Sequence, residues 1–382
     1  MFIRSSLALH GVQRIADFYT PRNLRALARL WAEIKAWPDR RIRQALAFAF
    51  TNTAWHGTRM RRYNARGGQR PLTGTLYIPQ MSIEVNVANV FRNKLRQLER
   101  FFASEDWSTN GQIETCLASA TRLEHLPSGS VDYVFTDPPF GSNIFYADCA
   151  IIAESWLGRF TDTREEAVVN RSLSPESGGK TVADYRSLMT LSFAEIARVL
   201  KPGGTVTVVF QNTHADVWTA LEDALGDAGL GCERASTLDK TQQSHKGYKG
   251  RSGAEDVAGL DMVLTVRHRR QSGKRKPDKR RVQDAVSVLE THLASLPPVG
   301  TSPVADRQRT LPYLYAVLLQ AHFNGDIGLT ERGYGRVREL CALSLEVDGH
   351  GRWDVGRTSP AQLSPMHKGR HETGRSGQSS GT

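Results

Sequence analysis

An open α/β sheet of mostly parallel strands, covered by helices on both faces, is the fold predicted for the middle of this 382-residue chain. Three observations predict it. First, residues 106–270 carry short apolar runs rich in β-branched residues: Val131–Thr136 (VDYVFT), Thr205–Phe210 (TVTVVF) and Asp261–Arg267 (DMVLTVR). Second, helix-period stretches separate them, at about Ala147–Trp156, Val182–Leu200 and Ala215–Gly229. Strands joined by helices of about 10–15 residues are the pattern of parallel βαβ units. Third, Lys201-Pro202-Gly203-Gly204 is a turn placed where a helix must hand over to a buried strand.

The flanks read differently. Residues 1–105 are mainly helical. Thr20-Pro21 combines a hydroxyl N-cap with proline at the first helical position, and Leu24, Leu27, Ala28, Trp31 and Ile34 recur at helical spacing until Pro38. A second helix is expected from Arg40 to about Asn52 and a third over about Val85–Phe102. Tyr63–Pro71 (YNARGGQRP) reads as a basic, glycine-rich loop. Beyond the central region, 271–300 reads as a basic linker, with the run 267–281 (RHRRQSGKRKPDKRR) as its entry. Residues 301–356 read as a small helical unit built on Leu311–Phe323 and Tyr334–Leu345, and 357–382 as a disordered Ser/Gly/Arg tail.

Composition narrows the function. Apolar residues make up 40% of the chain, but no run of about 18 of them exists, so no membrane span is expected. The four cysteines (Cys116, Cys149, Cys232, Cys341) form no CxxC pair and no Cys/His cluster, which predicts a reducing, cytoplasmic setting without a metal site. Fifty Lys+Arg against 39 Asp+Glu leave a net charge of +11, which suits a polyanionic partner.

The chemistry is expected in Ser130–Tyr146, SVDYVFTDPPFGSNIFY. A strand ends and Asp137, Pro138, Pro139 and Phe140 follow directly. The prolines fix φ and remove two backbone donors, so the carbonyls of Asp137 and Pro138 are held stiffly. An exocyclic amine placed there donates one N–H to Asp137 and the other to the Pro138 carbonyl, while Phe140 stacks on the heterocycle. Such an amine is a poor nucleophile, because its lone pair is conjugated into the ring. Two acceptors on its hydrogens favour the tetrahedral nitrogen that attacks an electrophilic methyl, which is stabilisation of the transition state. In duplex DNA the base must first leave the stack.

This motif resembles the D/N/S-P-P-aromatic signature of the S-adenosylmethionine-dependent amino-methyltransferases. Three further segments, His10–Leu24, Thr73–Val87 and Thr136–Gly158, are similar to large prokaryotic adenine-specific DNA methylases. The resemblance covers about residues 8–345 and is most specific over Thr136–Gly158. It implies a Rossmann-like methyltransferase sheet, S-adenosyl-L-methionine as cofactor, DNA as partner and adenine N6 as the methylated atom. It carries Asp137, Pro138, Pro139 and Phe140 over as catalytic residues and Gly203 and Gly204 as candidate cofactor-binding residues. Asn143 and Tyr146 are candidates for the substrate pocket. Lys240, Lys246, Lys249 and Arg251, in the loop KTQQSHKGYKGR, are candidates for nucleic-acid contact.

One departure stands out. Relatives of this kind hold the methyl donor with a glycine-rich strand-turn-helix, and no such turn occurs here; an acidic residue often found before the catalytic strand is missing from Ala118–Thr121 (ASAT). The implied arrangement is the C-terminal portion of a longer or split enzyme, with an upstream subunit supplying the glycine loop. Cytosine N4 methylation, RNA amino-methylation and a DNA-binding subunit without catalysis stay open as alternatives.

Overall fold

The computed structural model describes residues 7, 10–65, 76–104, 111–141, 144–170, 173, 174, 176, 178–239, 260–269, 284–329 and 332–355. Asn143, Lys240, Lys246, Lys249, Arg251, the glycine-rich loop from Arg66 onward, most of the 267–281 run and the expected tail lie outside these residues.

Three helices form the N-terminal region: α1 (Pro21–Ala36), α2 (Arg40–His56) and α3 (Val87–Ser104). Each start has a local cause where a cap is seen. The Thr20 hydroxyl accepts from the Asn23 amide ahead of α1, and the Asp39 carboxylate accepts from the Ile42 amide ahead of α2. Leu27, Ile34, Phe50, Ala54 and Val87 point inward and make a core of their own.

The central segment begins with β1 (Val131–Thr136), followed by α4 (Tyr146–Leu157) and α5 (Val182–Val199). Then come β2 (Leu200–Phe210), α6 (Ala215–Asp227), β3 (Leu230–Leu238) and β4 (Asp261–His268). The last part holds α7 (Ala285–Ala294), α8 (Pro303–Gln308), α9 (Leu311–Asn324) and α10 (Tyr334–Ser344), with a small ribbon of β5 (Glu346–Val347) and β6 (Trp353–Asp354).

The main sheet has the order β1-β2-β4-β3. Only β1 and β2 are neighbours in parallel; β4 runs antiparallel to both β2 and β3. The expectation of a mostly parallel sheet is thus corrected to a mixed one. The reason is β3, which has no regular alternation in LGCERASTL and was not foreseen: it lies beside β4, the next strand in the chain, and the two pair antiparallel. Among the described residues β1, the strand that leads into the motif, is an edge strand of this sheet.

The two faces of the sheet differ. Val206, Val208, Phe210, Leu264 and Val266 share one core with α5, α6 and α9. On β1 only Val134 joins that side, while Tyr133 and Phe135, which alternate with it, are 54% and 63% exposed. The layer expected over both faces is therefore missing at the β1 end among the described residues. Two packing facts concern the C-terminal part. The 271–300 linker contains α7, whose Leu289 and Leu293 are buried in the main core. The helices of 301–356 share that same core, so packing draws no line at residue 300. Among the described residues, no helix is long and apolar enough to cross a membrane.

Candidate active site

The parallel pair β1–β2 aims the motif. β1 stops at Thr136, and Asp137 emerges exposed at its carboxyl end, where open α/β sheets place their ligands. Pro138 is buried, and Pro139 and Phe140 are half-buried. The next residue, Gly141, has φ +74°; a Cβ there would lie 3.2 Å from the Val217 side chain. Both facts favour glycine, because the backbone is left-handed and a neighbouring helix leaves little room.

The loop is held by its later carbonyls. The Tyr185 hydroxyl donates to Pro139 O at 2.7 Å, the Asn212 amide donates from Nδ2 to Phe140 O at 2.7 Å, and the Val169 amide donates to Gly141 O at 3.3 Å. Asn212 is itself only 2% exposed and doubly fixed: its Oδ1 accepts from the His214 amide, and its carbonyl accepts from Trp218 Nε1 at 3.0 Å. In contrast, the Pro138 carbonyl has no hydrogen-bond partner among the described residues. The acceptor that the sequence assigned to the amine is therefore the one the scaffold does not consume. Phe140 rests edge-on against Phe210, with centroids 5.4 Å apart and planes at 87°, and Phe210 in turn packs on Trp218.

Tyr146 opens α4 beside this loop and is 42% exposed. Its phenol is pushed above the usual tyrosine range, first by burial and then by the negative charge of Asp137. The two sequence candidates are thus close enough to feel each other. Glu166 adds to the same field and accepts from the Ala147 amide at 3.0 Å, where the first turn of α4 has free donors. The loop that carries Glu166 is gathered by Lys180, whose ammonium donates to the carbonyls of Thr163, Arg164 and Glu166. Partial burial holds the Lys180 pKa below its usual value, with nearby carboxylates opposing that shift. A cavity of about 250 Å³ adjoins this loop, lined among others by Val169, Asn170, Lys180 and Asp216.

Gly203 and Gly204 are placed elsewhere. Val131 pairs with Leu200 and Tyr133 with Thr205, so residues 201–204 bulge out at the amino ends of β1 and β2. That is five strand residues before Asp137, about 16 Å away along the strand. Their glycine character has a local explanation: Gly203 has φ +83°, and a Cβ on Gly204 would lie 3.0 Å from Asp132 O and closer still to Leu200. Lys201 pins the bulge through both carboxylate oxygens of Asp132 at 2.8 Å. The structure therefore joins Asp137, Pro138, Pro139, Phe140 and Tyr146 and separates the glycine pair from them.

Tyr185, Asn212, Glu166 and Lys180 were not foreseen. Asn212 had the clearest signal, an amide two residues past the end of a buried strand; the others are found only through folding. Among the described residues, no group of three or more His, Cys, Asp or Glu is placed to hold a metal ion. No family model and no curated protein matches the chain.

Proposed function

We propose that this chain supplies the amine-gripping half of a nucleic-acid amino-methyltransferase that uses S-adenosylmethionine and acts on the N6 amine of adenine in DNA. The observation that carries the reading is the division of labour along Asp137–Gly141. The carbonyls of Pro139, Phe140 and Gly141 are tied to the scaffold, while Asp137 is exposed and the Pro138 carbonyl has no partner among the described residues. In this reading Asp137 and Pro138 O each accept one N–H of the amine, and Phe140 offers the stacking that the base loses on leaving the duplex. Both acceptors are in place before the base arrives, so little reorganisation is needed as charge develops on nitrogen.

The described residues do not make a full site for the methyl donor. The one glycine pair on a described strand sits at the wrong end of the sheet, about 16 Å from Asp137, and among the described residues no strand lies outside β1 to form a crevice with it. We therefore read the free edge of β1 as the place where a second polypeptide adds strands and brings the donor-binding turn. A chain that binds DNA without catalysis is the second reading, and the same missing turn favours it.

Two measurements separate these readings. DNA from cells expressing the chain together with the reading frame that precedes it should contain N6-methyladenine, and Asp137→Ala should abolish it. N4-methylcytosine instead would move the assignment to cytosine, and equal methylation by Asp137→Ala would refute the site. Isothermal titration of the chain alone with S-adenosylmethionine should show no micromolar binding; a micromolar isotherm would overturn the incomplete-site account.

A further inference from the structure

The positive charge of this molecule is concentrated away from the loop that carries the motif. Residues 1–104 hold 18 Lys+Arg against 5 Asp+Glu, a net of +13, while residues 105–382 hold 32 against 34, a net of −2. Residues 1–104 thus account for the whole positive excess of the chain. Three of their five acids are engaged locally. Asp17 accepts from the amides of Gln13 and Arg14, Asp39 caps α2, and Glu84 binds Thr20 and Arg22. Neither stripe of arginines described next is neutralised by these three acids, apart from Arg22.

The arginines are ordered on the outer faces of two helices. Arg22, Arg25 and Arg29 follow one face of α1 at i, i+3, i+7, opposite its buried Leu27 and Ile34. Arg92, Arg96 and Arg100 follow one face of α3 at i, i+4, i+8, opposite its buried Val87. All six are exposed. Among the described residues Arg29, Arg96 and Arg100 have no hydrogen bond or ion pair. At 1.5 Å per residue the α3 stripe is about 12 Å long, which faces on the order of seven phosphates of a duplex.

We infer that these two stripes are the DNA-backbone docking surface of the chain, which rests on the reading of DNA as the substrate. Charge complementarity decides the occupant, since six exposed arginines outnumber the acids beside them, Glu84 on Arg22 and Glu33 and Glu99 on the same helices, and such an excess is matched by a dense array of phosphates. The surface is also coupled to the site. Helix α4 begins at Tyr146, beside Asp137, and ends in the N-terminal core, where Trp156 donates from Nε1 to the Tyr19 hydroxyl at 3.0 Å and meets Phe50 edge-on at 5.2 Å. A duplex held on the arginines is thereby held at a fixed offset from the motif. Phosphate contacts of this kind set register and affinity and read no sequence.

The test is the salt dependence of binding to a mixed-sequence DNA duplex, measured with the full chain. Replacing Arg25, Arg29, Arg96 and Arg100 by Gln should lower the slope of log affinity against log salt by about 3 to 4 and weaken binding at least about tenfold near 0.1 M salt. The same four positions changed to Lys should keep the wild-type slope, which separates lost charge from lost fold. Arg336→Gln with Arg338→Gln on α10 should change nothing. An unchanged slope in the four-Gln variant, or preferential binding of duplex RNA, overturns the inference. Binding that follows the arginines without any methylated base would leave this inference standing and remove the catalytic reading.

Discussion

Asn212 shows how much a single buried amide decides. It is not part of the motif, yet its Nδ2 holds Phe140 O and its Oδ1 holds the His214 amide, so both ends of the side chain are used. Replacing it by Ala leaves a carbonyl and an amide without partners inside the protein, which costs about 1–3 kcal/mol for the group left unsatisfied. Urea unfolding of Asn212→Ala should show a lower midpoint with an unchanged slope; a wild-type midpoint would mean that the loop is held by other contacts. Tyr146 reports on the same loop electrostatically. Burial raises its pKa first and the Asp137 carboxylate second. Removing that negative charge with Asp137→Asn should therefore bring the Tyr146 phenol partway down toward the ordinary tyrosine range, leaving the part due to burial. The readout is the alkaline ultraviolet titration of Asp137→Asn against the parent, with Tyr146→Phe to identify the transition. A Tyr146 titration that ignores Asp137→Asn would place the two groups too far apart to share a site.

Among the elements, α4 has the least expected role. Its sequence, YADCAIIAESWL, is apolar nearly all round, which predicted a helix but not its neighbours. The structure sends Ile151, Ile152 and Trp156 into the N-terminal core instead of against the sheet. Phe50 is the centre of that contact: fully buried, stacked on Trp31 at 4.7 Å and edge-on to Trp156 at 5.2 Å. Phe50→Ala should cost about 3–5 kcal/mol, and it should also reduce methylation in the assay above by loosening the start of α4. A variant that unfolds like the wild type would show that the cluster relaxes around the gap. The comparison of expectation with structure is instructive at this scale. Helix α1 was legible because Thr20-Pro21 and Pro38 mark its ends chemically, whereas the Asp39 cap that starts α2 emerges only in the structure. The strand β2 was legible from its β-branched run, although it starts at Leu200, ahead of the turn that bulges from it. β3 was not, since CERAS has the composition of a surface loop and becomes a strand by pairing with β4. The lone α7 was hidden by the basic run before it, although Leu289 and Leu293 have helical spacing. Asp137–Phe140 could be read because its chemistry is contiguous, whereas Tyr185 and Asn212 reach it from distant parts of the chain.

At the scale of the whole molecule the two ends of the sheet differ in how their faces are covered among the described residues. Along β3 and β4 the strands are backed by α9 and closed into the main core. At β1 the last strand is parallel to its one neighbour among the described residues and exposes Tyr133 and Phe135, which is an unusual end for a parallel pair, because parallel strands are normally covered on both faces. The irregular stretch 111–118, earlier in the chain, leaves Ile113 91% and Leu117 81% exposed. An uncovered strand edge with aromatic residues beside it is a template for pairing with another chain. The chain on its own should therefore self-associate as its concentration rises, and the association should run through β1. Tyr133→Lys with Phe135→Lys places two like charges on that edge and should return the chain to a monomer in sedimentation equilibrium. It should leave the salt slope for DNA unchanged, since the arginine stripes lie on other elements. The same double substitution should also block any gain in methylation from the second polypeptide, because that polypeptide would need the edge it occupies. Monomeric behaviour of the parent at high concentration, together with full methylation by the double variant, would show that β1 is a natural end of the sheet and that the donor site must be sought within this chain.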